Sequence, residues 1–255
     1  MSQLLEGKTA LILGVANKWS IAYAIAQAYR REGAKLLLTY QGDRLKETVE
    51  QLGAELGAAR ILECDVAQDE HLVKLSETLQ AEGPLHAVVH SIAFAGKDEL
   101  SRPFLETSRA GFAQAQEISA YSMVAVARAA APAMTAGGAI LTLTYLGSTR
   151  VLTNYNVMGT AKASLEASVR YLASELGAKN IRVNAISAGP IKTASARGIA
   201  GFSKILEQVA ARSPLGRNCD PAEVADMAVF LASDLGRGVT GDVLFVDAGY
   251  HIMGL

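Results

Sequence analysis

Short apolar runs recur along the chain, and between them lie stretches of helical length in which apolar and polar positions alternate. The runs at 9–13, 36–40, 60–63, 87–90, 140–144, 182–186 and 243–246 read as strands. Helical patterns separate them, and this alternation predicts an α/β architecture: a doubly wound parallel sheet of about seven strands with helices on both faces. No linker, internal repeat or low-complexity tract interrupts the 255 residues, so 1–255 is read as a single domain.

One stretch departs from the pattern. Residues 190–214 follow a strand, carry Gly198 and Gly201, and space Ile191, Ile199, Phe202, Ile205, Leu206 and Val209 among small residues. A mobile apolar flap fits this composition, and so does a plain pair of surface helices packed on the core.

Half the residues are apolar, 19% are charged and the formal net charge is -1, which excludes a disordered chain and a surface built to coat nucleic acid. Any charged partner must be met locally. Cys64 and Cys219 are far apart and form no Cys-x-x-Cys, so neither a disulfide framework nor a zinc site is predicted, and a reducing cytoplasm of bacterial type suits them. No leader opens the chain at Met1, and no apolar run approaches the roughly 18 residues of a membrane span. His71, His86, His90 and His251 show no metal-ligand spacing and are expected to be structural or surface groups.

The sharpest chemical signal is Tyr155 with Lys162. Seven residues of helix make about 700° of turn and roughly 10 Å of rise, so a phenol and an ammonium share one face. A neighbouring cation favours phenolate over phenol, which is expected to make Tyr155 a better proton donor and oxyanion partner near neutral pH.

The first predicted strand runs into Gly14-Val15-Ala16-Asn17-Lys18-Trp19-Ser20-Ile21-Ala22, and a helix follows at once. Small residues there let backbone N–H groups and the positive end of the helix approach a pyrophosphate, with Gly14, Ser20 and Ile21 as the contacts. In an alternating α/β chain of Rossmann-type fold this first turn is where dinucleotides bind, while a simple strand-to-helix loop fits the same residues, which lack Gly-x-Gly-x-x-Gly. Gln41, past the second strand, stands where an acid would hold an adenosine ribose or an Arg a 2′-phosphate. Its neutral amide suits ribose hydroxyls and Asp43 would repel a phosphate, so NADH is favoured over NADPH. Asp65 and Val66 offer an acceptor and an apolar wall for adenine, or Asp65 caps the next helix. Ser91, Ile92 and Ala93 put small residues where backbone passes close to the cofactor. Phe94, Ala95, Tyr145, Met158, Ala196, Ile199 and Phe202 each fit a core position taken singly, and their place at strand ends and on the flap groups them as an apolar slot for a substrate chain.

Together these motifs resemble the short-chain dehydrogenase/reductase superfamily and, within it, the divergent branch of NADH-dependent enoyl-acyl-carrier-protein reductases. The resemblance runs the whole length. Where the superfamily has Tyr-x-x-x-Lys, the residue four after Tyr155 is Gly159, and Lys162 is three further on. Ser20-Ile21-Ala22 in place of a glycine triplet, and Tyr145 where the superfamily keeps a Ser, mark the same branch. So do His90-Ser91-Ile92-Ala93-Phe94-Ala95 and Ser187-Ala188-Gly189-Pro190-Ile191-Lys192-Thr193.

The resemblance implies reduction of the 2,3 double bond of a fatty acyl chain held as a thioester on acyl carrier protein. Tyr155 would bond the thioester carbonyl, Lys162 the nicotinamide ribose, and Tyr145 would line the substrate site. Ile92, Ile191 and Thr193 would hold the nicotinamide end, and a homotetramer is implied. An acidic carrier calls for a basic mouth, for which Lys204 with Arg197 or Arg212 is available. Rival readings are a carbonyl reductase of the same superfamily, which lacks the seven-residue interval, and a catalytically silent dinucleotide sensor, which has no reason to keep Tyr155 and Lys162.

Overall fold

The computed structural model describes residues 3–193, 196 and 201–254. Its strands are β1 (Thr9–Leu13), β2 (Lys35–Tyr40), β3 (Arg60–Glu63), β4 (Ala87–His90), β5 (Gly138–Thr144), β6 (Ile181–Ala188) and β7 (Val243–Val246). They form one seven-stranded sheet in the order β3-β2-β1-β4-β5-β6-β7, every neighbouring pair parallel. The doubly wound expectation holds, and the helices supply the long crossovers that parallel pairing demands.

Alternate side chains of one strand serve opposite faces of the sheet. In β1, Ala10 and Ile12 pack with α1 (Ile21–Arg31) and α9 (Pro221–Ala232). Leu11 and Leu13 belong to the other face, with α3 (Asp69–Ala81) and α7 (Asn156–Leu176). α2 (Gly42–Leu56) adds Val49, Leu52 and Leu56 to the first face. Both faces of the inner strands are therefore dry, which is why β1 and β4 read as near-continuous apolar runs, whereas the edge strands β3 and β7 stay partly exposed.

On the second face, α4 (Lys97–Ser101) and α5 (Arg109–Gln116) precede a π-turn at Glu117–Tyr121, which leads into α6 (Ser122–Ala130). The region expected to be a flap contains α8 (Phe202–Arg212), whose Leu206 and Val209 are buried. The chain runs from β1 out to β3, then crosses back to place β4 on the other side of β1. That reversal makes the carboxyl ends of β1 and β4 a topological switch point, where open α/β sheets bind ligands.

Candidate active site

The predicted residues follow the carboxyl ends of the strands in spatial order. Asp65 and Val66 come after β3, Gln41 after β2, Gly14 after β1, Ser91 and Ile92 after β4, Tyr145 after β5, and Ile191 and Thr193 after β6. At about 4.8 Å per strand, the ends of β2 and β5 stand roughly 14 Å apart.

At the switch point, Gly14 has a φ of +97°, and a Cβ there would collide with the Ser91 carbonyl oxygen. Only a residue without a side chain allows the two loops to touch. Ser20 is the N-cap of α1: its Oγ accepts from the Tyr23 N–H at 3.2 Å and donates to the Asn17 carbonyl at 2.8 Å. Ile21 opens the helix, and Ser20 takes the Tyr23 and Ala24 N–H groups of the first turn, which leaves those of Ile21 and Ala22 for a ligand.

A cavity of about 830 Å³ adjoins this turn, lined by Lys18, Ser20, Ile191, Lys192, Leu206 and Asn218 among others. Asn218 donates from Nδ2 to the Leu206 carbonyl at 3.1 Å, while its buried Oδ1 has no partner among the described residues. A glycine cradle, a capped helix start and an orphaned acceptor beside an open volume fit a dinucleotide phosphate and its neighbouring sugar. Tyr145, Tyr155 and Lys162 lie outside that lining.

Gln41 and Asp65 meet past the ends of β2 and β3, where the Gln41 side chain bonds the Asp65 carboxylate. Burial works against the Asp65 charge, but the bonds from Ala67, Gln41 and Gln68 hold it below the usual carboxylate value. The helix-cap alternative for Asp65 is corrected: the N-cap of α3 is Gln68, and Asp65 instead accepts from the Ala67 N–H at 3.0 Å in the turn before it.

Tyr155 is the N-cap of α7, framed by two non-glycine residues in the left-handed region, Asn154 at φ 62° and Asn156 at φ 39°. Asn156 secures this start by donating from Nδ2 to the Leu100 and Arg102 carbonyls at 3.1 and 2.7 Å. The Tyr155 ring stands edge-on to Tyr145, centroids 5.2 Å apart at 76°. It packs with Ala95, Met158 and Val157 in a small apolar cluster, and Phe94 is exposed nearby in sequence. Lys162 is buried, and its Nζ donates to the Leu143 carbonyl at 2.8 Å.

The expectation that Lys162 drives Tyr155 toward phenolate is corrected. Burial pushes the Tyr155 phenol well above its ordinary value, and Tyr145 and Glu166 push the same way. Although part of the ring remains accessible, desolvation decides its state, so Tyr155 stays a neutral O–H donor. Burial raises Tyr145 to about 12 and lowers Lys162 to about 8.

A family model described as enoyl-(acyl carrier protein) reductase matches residues 14–251. A Bacillus cereus relative named enoyl-[acyl-carrier-protein] reductase [NADH] FabI is 55% identical over 255 residues, covering 99% of this chain and 100% of its own. The chain belongs to the enoyl-(acyl carrier protein) reductase family. The crystal structure of the Bacillus cereus enoyl-acyl carrier protein reductase with NADP+ and indole naphthyridinone matches at a TM-score of 0.98 and 55% identity, over 99% of this chain and 100% of that one. The Anaplasma phagocytophilum enzyme in complex with NAD matches at 0.95 and 44% identity, over 100% and 96%.

For this enoyl reductase family member, several residues that shape the site carried no sequence signal. Gly147, in the turn after β5, lies against the Tyr155 ring so closely that a Cβ there would collide with it. Ser119, fully buried in the π-turn, accepts from the Phe94 N–H at 2.9 Å and donates to the Phe94 carbonyl at 3.0 Å. His90 lies buried between Ser122 Oγ at 2.7 Å and Thr142 Oγ1 at 3.0 Å. Ser122 Oγ also donates to the Ile118 carbonyl at 2.6 Å and Thr142 Oγ1 to the His90 carbonyl at 3.1 Å, so both hydroxyls that hold the ring are themselves fixed by backbone. The other histidines also have structural partners: His71 accepts from Asp65 N, His86 from Thr9 N, and His251 bonds Asp247.

The slot residues are only partly brought together. Ala95, Met158 and Tyr155 share a cluster, Phe202 opens α8, and Ala196 is tied back to Thr193 Oγ1 at 3.1 Å. Ile199, like Arg197, lies outside the described residues.

Proposed function

We propose that this chain reduces the 2,3 double bond of a trans-2-enoyl chain carried on acyl carrier protein, using NADH, as the last step of the type II fatty acid elongation cycle. The observation that carries the reading is the Tyr145–Tyr155 edge-on pair with Lys162 one face of helix further on, at the carboxyl end of the sheet, in a chain of this family along its length.

NADH, when bound, supplies the hydride to C3. Gly14, Ser20 and Ile21 would receive its pyrophosphate, Gln41 with Asp65 and Val66 its adenosine, and Ser91, Ile92, Ile191, Thr193 and Lys162 its nicotinamide half. The neutral Gln41 amide and acidic Asp43 favour NADH over NADPH at that end.

As negative charge develops on the thioester oxygen, the Tyr155 O–H would donate to it. A donor fixed in a water-poor site stabilises the transition state more than the ground state. Lys162 would anchor the ribose and add positive charge nearby. Phe94, Ala95, Tyr145, Met158, Ala196, Ile199 and Phe202 would enclose the acyl chain.

The test is NADH absorbance followed with a crotonyl or dodecenoyl thioester against a β-ketoacyl thioester. Faster oxidation with the enoyl substrates is expected, and a preference for the ketone would transfer the chain to the carbonyl-reductase reading.

The whole chain would act as one cofactor-binding and catalytic domain in the cytoplasm; no described helix is long and apolar enough to cross a membrane. A homotetramer is also proposed. The exposed Phe104, Leu105, Phe112, Tyr121 and Tyr171 supply apolar surface for association. Light scattering that returns a monomer mass would remove this part of the reading.

A further inference from the structure

One helical turn beyond Lys162, the core encloses a second charged side chain. Lys162 and Glu166 are 6% and 7% exposed. Four residues apart on α7, they lie one above the other on the same face. Two consecutive residues of β5 hold them: the Leu143 carbonyl accepts from Lys162 Nζ at 2.8 Å, and Thr144 Oγ1 donates to Glu166 Oε1 at 2.6 Å.

A buried carboxylate is costly unless its charge and lone pairs are met. A single Thr hydroxyl meets one lone pair and none of the charge. The Glu166 position acts on Lys162 from the same helix, and Lys162 in turn acts on His90 from β4. His90 is fully buried and neutral, so the one carboxyl group of this set is that of Glu166.

We propose that Glu166 is a positioning residue for the reaction: its carboxylate, pinned by Thr144 one helical turn beyond Lys162, holds the Lys162 side chain as the ammonium that the site uses. The inference rests on the role given above to Lys162. Burial pulls Lys162 down to about 8 and Glu166 opposes that pull. Without the charge, Lys162 loses its proton at lower pH.

Glu166→Gln in the full chain preserves size and still accepts from Thr144, so it removes charge alone. The alkaline limb of kcat/KM for NADH, which reports the free enzyme, is expected to move down by about one pH unit. Calorimetric NADH affinity, compared at about pH 7 and about pH 9, is expected to fall several-fold more steeply than in the unsubstituted protein. A limb and an affinity ratio that both superimpose on those of the unsubstituted protein would overturn the proposal, because a purely structural Glu166 would alter melting and leave them in place. If Glu166→Gln does not fold by circular dichroism, Glu166→Asp keeps the charge but withdraws it by one methylene. An intermediate displacement is then expected, and none would overturn the proposal. Should the unsubstituted protein fail to reduce an enoyl thioester, the functional reading fails, while the NADH affinity ratio still decides the role of Glu166.

Discussion

Gly159, in the first turns of α7, faces the backbone of Gly147: a Cβ at 159 would stand 2.8 Å from the Gly147 carbonyl oxygen. Gly147 in turn lies against the Tyr155 ring. The position four after Tyr155 is thus closed to any side chain on this backbone, and the cation must come from Lys162. Gly159→Ala should force α7 away from the turn after β5, costing about 1–3 kcal/mol as overpacking does. Turnover should fall by about tenfold or more with the displaced phenol. Thermal melting and steady-state kinetics check this, and a Gly159→Lys, Lys162→Met double variant should remain inactive.

Tyr155→Phe removes the donor and keeps the ring against Tyr145 and Gly147. On the scale of lost oxyanion donors, kcat should drop by about 10²–10³ with the KM for NADH nearly unchanged. Full turnover in this variant would shift the oxyanion role to Tyr145 or to ordered water.

Lys162→Met should weaken NADH binding by about tenfold or more as well as lowering kcat, because one group both anchors the ribose and carries charge. Titration calorimetry separates the two effects. In the unsubstituted enzyme Lys162 is held near 8, so kcat/KM for NADH should decline as pH rises through that value.

Ser119→Ala strips both bonds from Phe94 at once. Leaving those backbone groups without their partner should cost about 1–3 kcal/mol. The loop after β4 should loosen, raising the KM for a long enoyl substrate more than that for a crotonyl one. Equal KM changes for the two chain lengths would argue that Phe94 does not border the acyl chain.

His90 carries a testable acid response. Its pKa falls from 6.5 to about 3 on burial, chiefly through desolvation and then through Lys162. The unfolded chain therefore binds a proton between these values that the folded chain refuses, and stability declines as pH drops through that window. His90→Gln should lose stability less steeply between about pH 6.5 and about pH 4.5, by up to about 1.4 kcal/mol per pH unit. Melting temperature against pH for both proteins measures the difference.

The inner sheet was readable because strands covered on both faces leave near-unbroken apolar runs: β1 and β4 occupy the ranges read from the apolar pattern, and so do the partly exposed edge strands β3 and β7. β6 runs two residues beyond its expected end, through Ser187 and Ala188. Those residues have little strand preference of their own, and neighbours on both sides, with Thr144 opposite Ser187 and Val246 opposite Ala188, hold them in the ladder.

Tyr155 and Lys162 were visible through helical spacing. Glu166 was not, because a Glu on an amphipathic helix ordinarily reads as a solvent-facing residue, and only the partner on β5 reveals that it points inward. Ser119 was hidden by the π-turn, whose extra residue per turn shifts the helical period just where the serine turns toward Phe94. Gly147 offered no signal beyond smallness, since its role is set by a ring that arrives from another element.

The all-parallel sheet gives the molecule one working pole. Each group assigned to chemistry sits at or beyond a strand's carboxyl end, Lys162 reaching back to Leu143 in β5, whereas the turns entering the strands, such as those at Gly83 and Asn180, lie at the opposite pole. Peptide tags or spectroscopic labels inserted at those entering turns are the modifications a reader of catalysis can make while leaving the chemistry untouched.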